Sequence, residues 1–307
     1  MTHVQTFWSV RDILDNNPTM DRKALMAVKL WLKETPSLPS FINDEQIVLF
    51  LHSCSGDIEE TKNCILNYYR LRGETPQFFE ERDVLSPNLK KALNVLYYGI
   101  LPVKTPEGCQ IVFHMLKDTK PSNYVFNDGF KLLMMLIDGI NAREGPQNGL
   151  IMLFDMKGVK LSHVIKLPIY SVRKSLEYIQ ARITKAPDRL ADAIPVKLKS
   201  IHVVNVHSLI DKIMLLVKPF LRKKFLELLH FHKENDEEIY KTIPKRCMPE
   251  NYGGELESIE YYHEKFVTEM EHLRPLFVTE STMFNSEFKD IKTVKEQNSL
   301  DTLGDLL

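Results

Sequence analysis

The sequence has little of what nucleic-acid-binding, membrane-spanning and secreted proteins carry. Among its 307 residues, 40 basic and 41 acidic side chains leave a net charge of −1, which argues against a chain devoted to nucleic acid. The longest apolar run, LLMMLI at 132–137, is far shorter than the roughly 18 residues that span a bilayer. The N-terminus, MTHVQTFWSVRDIL, lacks the basic start and apolar stretch of a secretory signal. These absences predict a cytosolic protein without a nucleic-acid partner.

Motifs of catalysis and metal binding are also missing. The four cysteines form no CxxC pair and no zinc-type spacing with histidine, so we expect reduced thiols and neither metal nor cofactor (Cys54, Cys64, Cys109, Cys247). The sequence contains no GxSxG elbow, Walker A loop, GxGxxG or HExxH motif. No nucleophile–base pair can be assembled, so an enzyme is the least favoured class and no catalytic residue is assigned.

A few polar residues could serve either a functional or a structural role. His230 and His232 lie two apart and would point the same way on a strand, but no third metal ligand accompanies them. Asp155 follows an apolar run at what would be the carboxyl end of a strand, where α/β sheets bind their ligands. We favour structural roles for these residues and for His202. Asp155 would then bond backbone amides in a DMKG turn, with Gly158 supplying an unusual φ.

The chain divides into a helical part and a mixed part. Over 1–75, capping boxes beginning at Asn43 and Asp57 and the absence of glycine before Gly56 predict helices. From about 95, short apolar runs alternate with stretches long enough for crossover helices, which predicts buried parallel strands (IVFHML at 111–116, LIMLF at 150–154, IHVVN at 201–205). The expected fold class is α/β with a mostly parallel sheet, preceded by an all-helical domain.

A basic, amphipathic segment lies between Pro195 and Phe225. Seven basic residues against one acid, Asp211, give this segment a charge of +6 (Lys197, Lys199, Lys212, Lys218, Arg222, Lys223, Lys224). Apolar residues recur at helical spacing over the same stretch (Leu209, Ile213, Leu216, Val217, Phe220). Such a helix suits an anionic membrane surface, and it equally suits an ordinary docked helix with a solvated face.

Several segments together resemble the CRAL-TRIO lipid-carrier family. LIMLFDMKG (150–158) is similar to the family's strand followed by Asp-x-x-Gly, and IPVKLKSIHVVN (194–205) to its basic strand with Ile-His-x-x-Asn. VKPFLRKKF (217–225) resembles its lid helix, and MPENYGGE (248–255) its Tyr-Gly-Gly closure. Upstream, FLHSC and DIEETKNCILNYYRLRGETPQFF are similar to its N-terminal helical domain. The expected domains are 1–90 (helical), 91–275 (lipid-binding) and 276–307 (a polar tail), and we expect residues 280–307 to be mobile or loosely docked.

The resemblance implies a closed apolar cavity gated by a mobile helix, about Val206–Leu229. The protein would bind a retinoid, tocopherol, carotenoid or related terpenoid and transfer it between membranes. Burying each CH₂ contributes about 0.8 kcal/mol, so such a cavity holds a long tail without catalytic groups. By position, the wall would come from the helix before the 150–154 strand, from strands and from the lid (Phe130, Leu133, Met134, Ile137, Leu150, Phe154, Ile194, Val196, Ile201, Val203, Ile210, Ile213, Val217).

The chain departs from the tocopherol-type pattern at several places. There a basic cleft beside the lid holds phosphoinositide headgroups, and we assign an anionic-lipid surface to six residues (Lys197, Lys199, Lys218, Arg222, Lys223, Lys224). Cys54 and Leu228 stand where two further basic residues are usual, which favours general attraction to anionic membranes over phosphoinositide specificity. Leu133 and Ile137 replace serines near the ligand's hydroxyl, so we expect a less polar ligand or a head placed elsewhere. Residues 181–192 lengthen the connection into the Pro195 strand.

Two alternatives remain open from the sequence. A phospholipid carrier of the phosphatidylinositol-transfer type would need polar residues for a buried headgroup, and the expected wall is apolar. A cargo-free interaction module would instead have a filled core and no cavity.

Overall fold

The N-terminal part of the chain is helical, as expected. The computed structural model describes residues 7–17, 20–180 and 195–287. The first six helices are α1 (Val10–Asn16), α2 (Arg22–Lys33), α3 (Asp44–Ser53), α4 (Ile58–Glu74), α5 (Pro76–Phe79) and α6 (Pro87–Val95). The capping box at Asn43 is confirmed, because Gln46 N donates to Asn43 Oδ1 and Asn43 N donates to Gln46 Oε1. At the next start, Glu60 N donates to Asp57 Oδ1 at 2.9 Å.

A mixed sheet follows, and its described part has five strands. They are β1 (Leu96–Leu101), β2 (Cys109–Leu116), β3 (Gly149–Asp155), β4 (Leu198–Val204) and β5 (Leu229–Phe231), hydrogen-bonded in that order. β1 and β2 are antiparallel, whereas every later pair is parallel. The three expected strands and the mostly parallel α/β fold class are therefore confirmed.

Helices connect the parallel strands, because such connections must cross from one edge to the other. α7 (Phe126–Glu144) links β2 to β3, and α8 (Leu161–Ile165) with α9 (Ile169–Ile179) leads towards β4. α10 (Leu209–Val217) and α11 (Lys223–Leu226) separate β4 from β5. α12 (Ile259–His272) comes next, and helical turns continue over 274–287 as the C-terminal helix. No helix in the described ranges is both long and apolar enough to cross a bilayer.

Both faces of the sheet are covered, which explains why its strands read as continuous apolar runs. On one face Val112, Met152 and Ile201 join the main core, which also contains α7 and the N-terminal helices. On the other face Ile111 and Leu153 pack with residues from 239–262 in a second core. The apolar run 132–137 is therefore part of α7, which is buried between the sheet and the N-terminal helices.

Two buried arginines and two largely buried carboxylates tie the N-terminal helices to the rest of the molecule. Arg72 on α4 and Arg82 after α5 each bond both Asp138 on α7 and Glu280 on the C-terminal helix. We call these four residues the domain joint. Burial raises the pKa of Asp138, but the attraction of Arg72 and Arg82 outweighs it and the pKa is lowered. The joint therefore holds a charged carboxylate inside the protein.

The expected polar tail, 276–307, begins inside the C-terminal helix. Over 280–287 this helix buries Phe284 and contributes Glu280 to the domain joint, so mobility or loose docking was the wrong expectation for these described residues of 280–307. Residues 288–307 lie outside the described part of the chain, as does the lengthened connection at 181–192. The domain bounds themselves stay predictions.

Candidate ligand-binding site

Most of the expected wall residues converge on one face of the sheet. Seven are buried within the main core (Phe130, Leu133, Met134, Ile137, Leu150, Val196, Ile201). Phe154 and Val203, further along β3 and β4 on that face, pack against this core but keep accessible surface. Ile194 lies outside the described residues. On β3 the partly accessible residue of this face, Phe154, lies near the carboxyl end of the strand. The assignment of individual wall residues stays a prediction.

The expected lid contains α10, a helix that is mostly apolar in sequence but has no buried residue. Its sequence, LIDKIMLLV, has seven apolar residues of nine, yet none of the nine is buried. Ile210, Ile213 and Val217 are half-buried, and Leu215 keeps 80% of its surface exposed. None of these four is among the described residues that pack against the main core. An apolar helix of this length normally depends on burying one face against a partner.

The two ends of the lid segment meet at one place. Val206 N donates to His232 O at 3.0 Å, and His232 N donates to Val203 O at 2.9 Å. Beside these bonds, His202 Nδ1 and His232 Nε2 share a hydrogen bond of 2.9 Å. Burial, with His232 and His230 nearby, lowers the pKa of His202 to about 4. We call this contact between 202–206 and 230–232 the lid hinge.

The expected anionic-lipid residues differ in their surroundings. Lys218, Arg222 and Lys223 are exposed on the lid segment, while Lys224 is half-buried. Arg222 is fixed by Gln180, whose carbonyl accepts from its guanidinium at 2.8 Å. These positions leave exposed positive charge beside the lid.

Lys197 and Lys199 lie at the start of β4 and differ in solvent exposure. Lys199 is exposed and Lys197 is half-buried. Burial and then the charge of Lys199 lower the pKa of Lys197, and Cys54 opposes this. Burial and Lys197 together lower the pKa of His52 to about 4. The structure thus places Lys197 close to Cys54, the position at which the tocopherol-type pattern has another basic residue.

Two known domain families match the helical N-terminal part and the mixed α/β part of the chain. Residues 94–254 match the CRAL/TRIO domain, and residues 17–89 match the Pinta-like UBA domain. The chain belongs to the CRAL/TRIO family. This membership places it with lipid-binding and lipid-transfer proteins.

Individual relatives of this CRAL/TRIO chain are distant. The human alpha-tocopherol transfer protein-like protein is 26% identical over 80% of this chain and 68% of its own length. Clavesin-1 of Xenopus laevis is 22% identical over 83% of this chain and 76% of its own. The crystal structure of Sfh5 aligns with 13% identity and a TM-score of 0.45, covering 80% of this chain and 92% of that one.

One surface of the CRAL/TRIO domain was missed by the sequence reasoning. Around the α8–α9 turn, four apolar side chains are exposed, with Ile165 at 73% and Tyr170 at 61% accessibility (also Leu161 and Ile169). Lys160, Lys166 and Arg173 are exposed among them. We call these seven residues the apolar tip. Its charge was visible in the sequence, which has five basic residues and no acid between Asp155 and Glu177, whereas its exposure was not.

The structural reading of Asp155 is confirmed. Lys157 N donates to Asp155 Oδ1 at 2.7 Å, and Gly158 has a φ of 79°. Asn205 Nδ2 and Tyr252 Oη also donate to this carboxylate, each at 2.9 Å. The turn after β3 is thereby joined to the end of β4, next to the lid hinge.

The histidines at the lid hinge contact one another. His230 and His232 point the same way, as expected, and both rings stack on His202. His202 Nε2 also bonds Ser200 Oγ at 3.0 Å. Among residues 7–17, 20–180 and 195–287, no three His, Cys, Asp or Glu side chains are grouped to hold a metal ion.

Proposed function

We propose that this protein carries a small hydrophobic ligand of the terpenoid class, such as a retinoid, tocopherol or carotenoid, between intracellular membranes. The observation that carries the proposal is α10, an apolar helix with no buried residue. A ligand beneath it would supply the apolar surface that the helix lacks. Because each buried CH₂ contributes about 0.8 kcal/mol, a terpenoid tail would both fill the space and hold the lid closed.

Two exposed surfaces support transfer at a membrane. Leu215 on α10 and Ile165 at the apolar tip are both more than two-thirds exposed, and each is accompanied by exposed basic residues. Contact between α9 and the stretch 218–220 joins the helices of these surfaces. Apolar side chains that enter the headgroup region while lysines contact anionic lipids form an interfacial binding site. Docking there would offer α10 a second apolar partner, so the lid would open where release is useful.

The apolar wall favours a terpenoid over the phospholipid alternative. Seven expected wall residues are buried and aliphatic or aromatic, whereas a buried phosphate requires charged or polar partners. Lys197 is a half-buried cation just before β4, outside this apolar wall. We therefore assign it to attraction of anionic membrane lipids, with phosphoinositides as candidates.

Identification of cargo is the first test. Protein loaded from a tissue extract is examined by native mass spectrometry, and the bound molecule is extracted and identified. We expect one apolar molecule of terpenoid type per chain. A bound phospholipid would replace the proposal with the phosphatidylinositol-transfer alternative. Protein that stays empty and also refuses retinoids, tocopherols and carotenoids would favour the interaction module.

Membrane docking is tested by vesicle flotation with phosphatidylserine-containing vesicles. Leu215→Ser and Ile165→Ser should each weaken binding about tenfold, since each removes apolar burial worth 1 kcal/mol or more, roughly. Leu30→Ser on α2 is the matched control, because Leu30 is also exposed, at 56%, but lies outside both surfaces. Equal vesicle binding by all three variants would exclude these surfaces as the docking site.

A further inference from the structure

We propose that an apolar groove on the N-terminal helical part binds the chain's own segment FKDIKTV (288–294), and that Ile291 and Val294 are the side chains that enter it. The groove has a volume of about 690 Å³ and lies where the C-terminal helix reaches residue 287. The inference concerns the connection between the two parts of the chain and goes beyond the proposed carrier function, on which it does not depend.

The groove is formed by the end of α2, the connection from α2 to α3, and α3 itself. Glu287 adds to it from the C-terminal helix, and Lys29 and Lys33 add from α2. Ordinary binding sites have volumes of roughly 300–1,000 Å³, so this groove has room for two aliphatic side chains. More than half of its described lining is apolar (Leu32, Pro36, Leu38, Pro39, Ile42, Ile47).

Glu287 is bound to the edge of the groove by two short hydrogen bonds. Ser40 N donates to Glu287 Oε2 at 2.6 Å, and Ser40 Oγ donates to Glu287 Oε1 at 2.7 Å. These bonds hold the end of the described helix against the connection between α2 and α3. The segment that follows residue 287 therefore starts at the groove.

One face of the C-terminal helix already contacts the N-terminal helices. Glu280 belongs to the domain joint, and Phe284 stacks on Tyr69 of α4 with 6.4 Å between ring centroids. Glu287 comes next, at the groove. These three contacts are separated by four and then three positions, which is the spacing of residues on one face of an α-helix.

The same spacing, continued along the sequence, arrives at two apolar residues. Ile291 is four positions after Glu287, and Val294 is three positions after Ile291. At helical spacing Lys289 and Thr293 would fall on the opposite side. With a rise of about 1.5 Å per residue, Ile291 would lie about 6 Å beyond Glu287 along the helix axis, a step that a groove of this size covers.

A segment of the same chain is favoured over a separate partner by its attachment. A separate protein would lose translational and rotational freedom on binding, whereas a segment attached at Glu287 is present at an effective concentration on the order of millimolar. Two aliphatic side chains then suffice for docking. The docked segment would join the N-terminal helical part to the C-terminal helix at a second place, beside the domain joint.

Photo-crosslinking identifies the occupant of the groove directly. The photoreactive amino acid p-benzoylphenylalanine is incorporated at position 291 of the 307-residue chain, and the adducts formed on irradiation are located by mass spectrometry. We expect adducts within residues 29–47 of the same chain. Adducts with a second copy, which appear as a dimer on a denaturing gel, would overturn the inference, as would adducts elsewhere in the chain or none.

Two matched variants test the role of Ile291 by hydrogen–deuterium exchange. Ile291→Asp would place a carboxylate in the apolar groove and should release the segment, so that amides of residues 35–42 exchange about tenfold faster. Thr293→Asp adds the same charge on the opposite side and should exchange at the wild-type rate. Wild-type exchange in Ile291→Asp, or equal acceleration in the two variants, would contradict docking of this segment.

Discussion

The domain joint and the expected lid differ in what they bury: the joint encloses charged side chains, whereas the lid helix α10 leaves apolar side chains partly or fully exposed. The joint pairs two buried arginines with two largely buried carboxylates, whereas none of the seven apolar residues of α10 is buried. Charges enclosed together are costly to separate, because each would lose its partner without regaining water. Apolar side chains that make few contacts with the rest of the protein lose little packing free energy when their helix moves. Under the proposed function, α10 would therefore open at low cost, whereas the joint would stay intact.

The largest expected effect comes from breaking the joint. Asp138→Asn leaves Arg72 and Arg82 with a single carboxylate, Glu280, and should lower the free energy of unfolding by about 3–5 kcal/mol. Urea denaturation followed by circular dichroism measures this. Arg70→Ala is the control, since it removes the exposed Arg70–Glu74 pair and a long, 3.4 Å bond to Asn67 Oδ1, and it should cost about 0–1 kcal/mol. Equal losses in the two variants would show that the joint is not the rigid element.

Acid should act on the lid hinge before it acts on the joint. His202 has a pKa of about 4 when folded against a usual value of 6.5, so between these values the unfolded chain binds more protons. Stability therefore falls as the pH falls, by about 2 kcal/mol at pH 5 for this residue. The charged and titratable groups around it are His230 and His232, with Asp236 at 3.5 Å from His232.

Melting temperatures at pH 7 and pH 5 measure this effect. Other histidines with lowered pKa values, including His52 and His114, destabilise every variant in the same way. The informative quantity is the difference between the wild-type protein and His202→Gln, whose melting temperature should fall less. If both proteins lose the same stability, the hinge histidine does not contribute. The joint carboxylate, with its lowered pKa, should stay charged throughout this range.

The smallest expected effect is on the stability of the lid itself. Leu215→Ser should change the free energy of unfolding by no more than about 0.5 kcal/mol, because the side chain is 80% exposed. The same urea denaturation measures it, beside the membrane-binding defect expected of this variant. A loss of several kcal/mol would mean that Leu215 packs against the protein, and the contrast between joint and lid would weaken.

Local patterns made the strands and helix starts predictable. The runs at 111–116, 150–154 and 201–205 became β2, β3 and β4, since both faces of these strands are buried. The capping box at Asn43 was likewise visible, because its partners are three residues apart. The helical N-terminal part and the mostly parallel sheet followed from such short-range information.

Contacts between distant residues were not predictable from one sequence. Arg72 and Glu280 are 208 positions apart, so nothing local indicated that the polar stretch after 276 would be docked through a buried charge. For the apolar tip, the basic composition was readable, but exposure of Ile165 depends on where α8 lies.

The hydrogen bond between Val206 and His232 closes the segment between them into a loop whose sequence and length can vary without disturbing the sheet. Its ends are fixed to the sheet by backbone hydrogen bonds of about 3 Å, which do not depend on side-chain identity at either donor. Lengthening such a closed segment is inexpensive, because doubling a loop adds only about 0.6 kcal/mol of closure entropy. Substitutions and insertions between the two anchors can therefore accumulate while the sheet and the domain joint remain as they are.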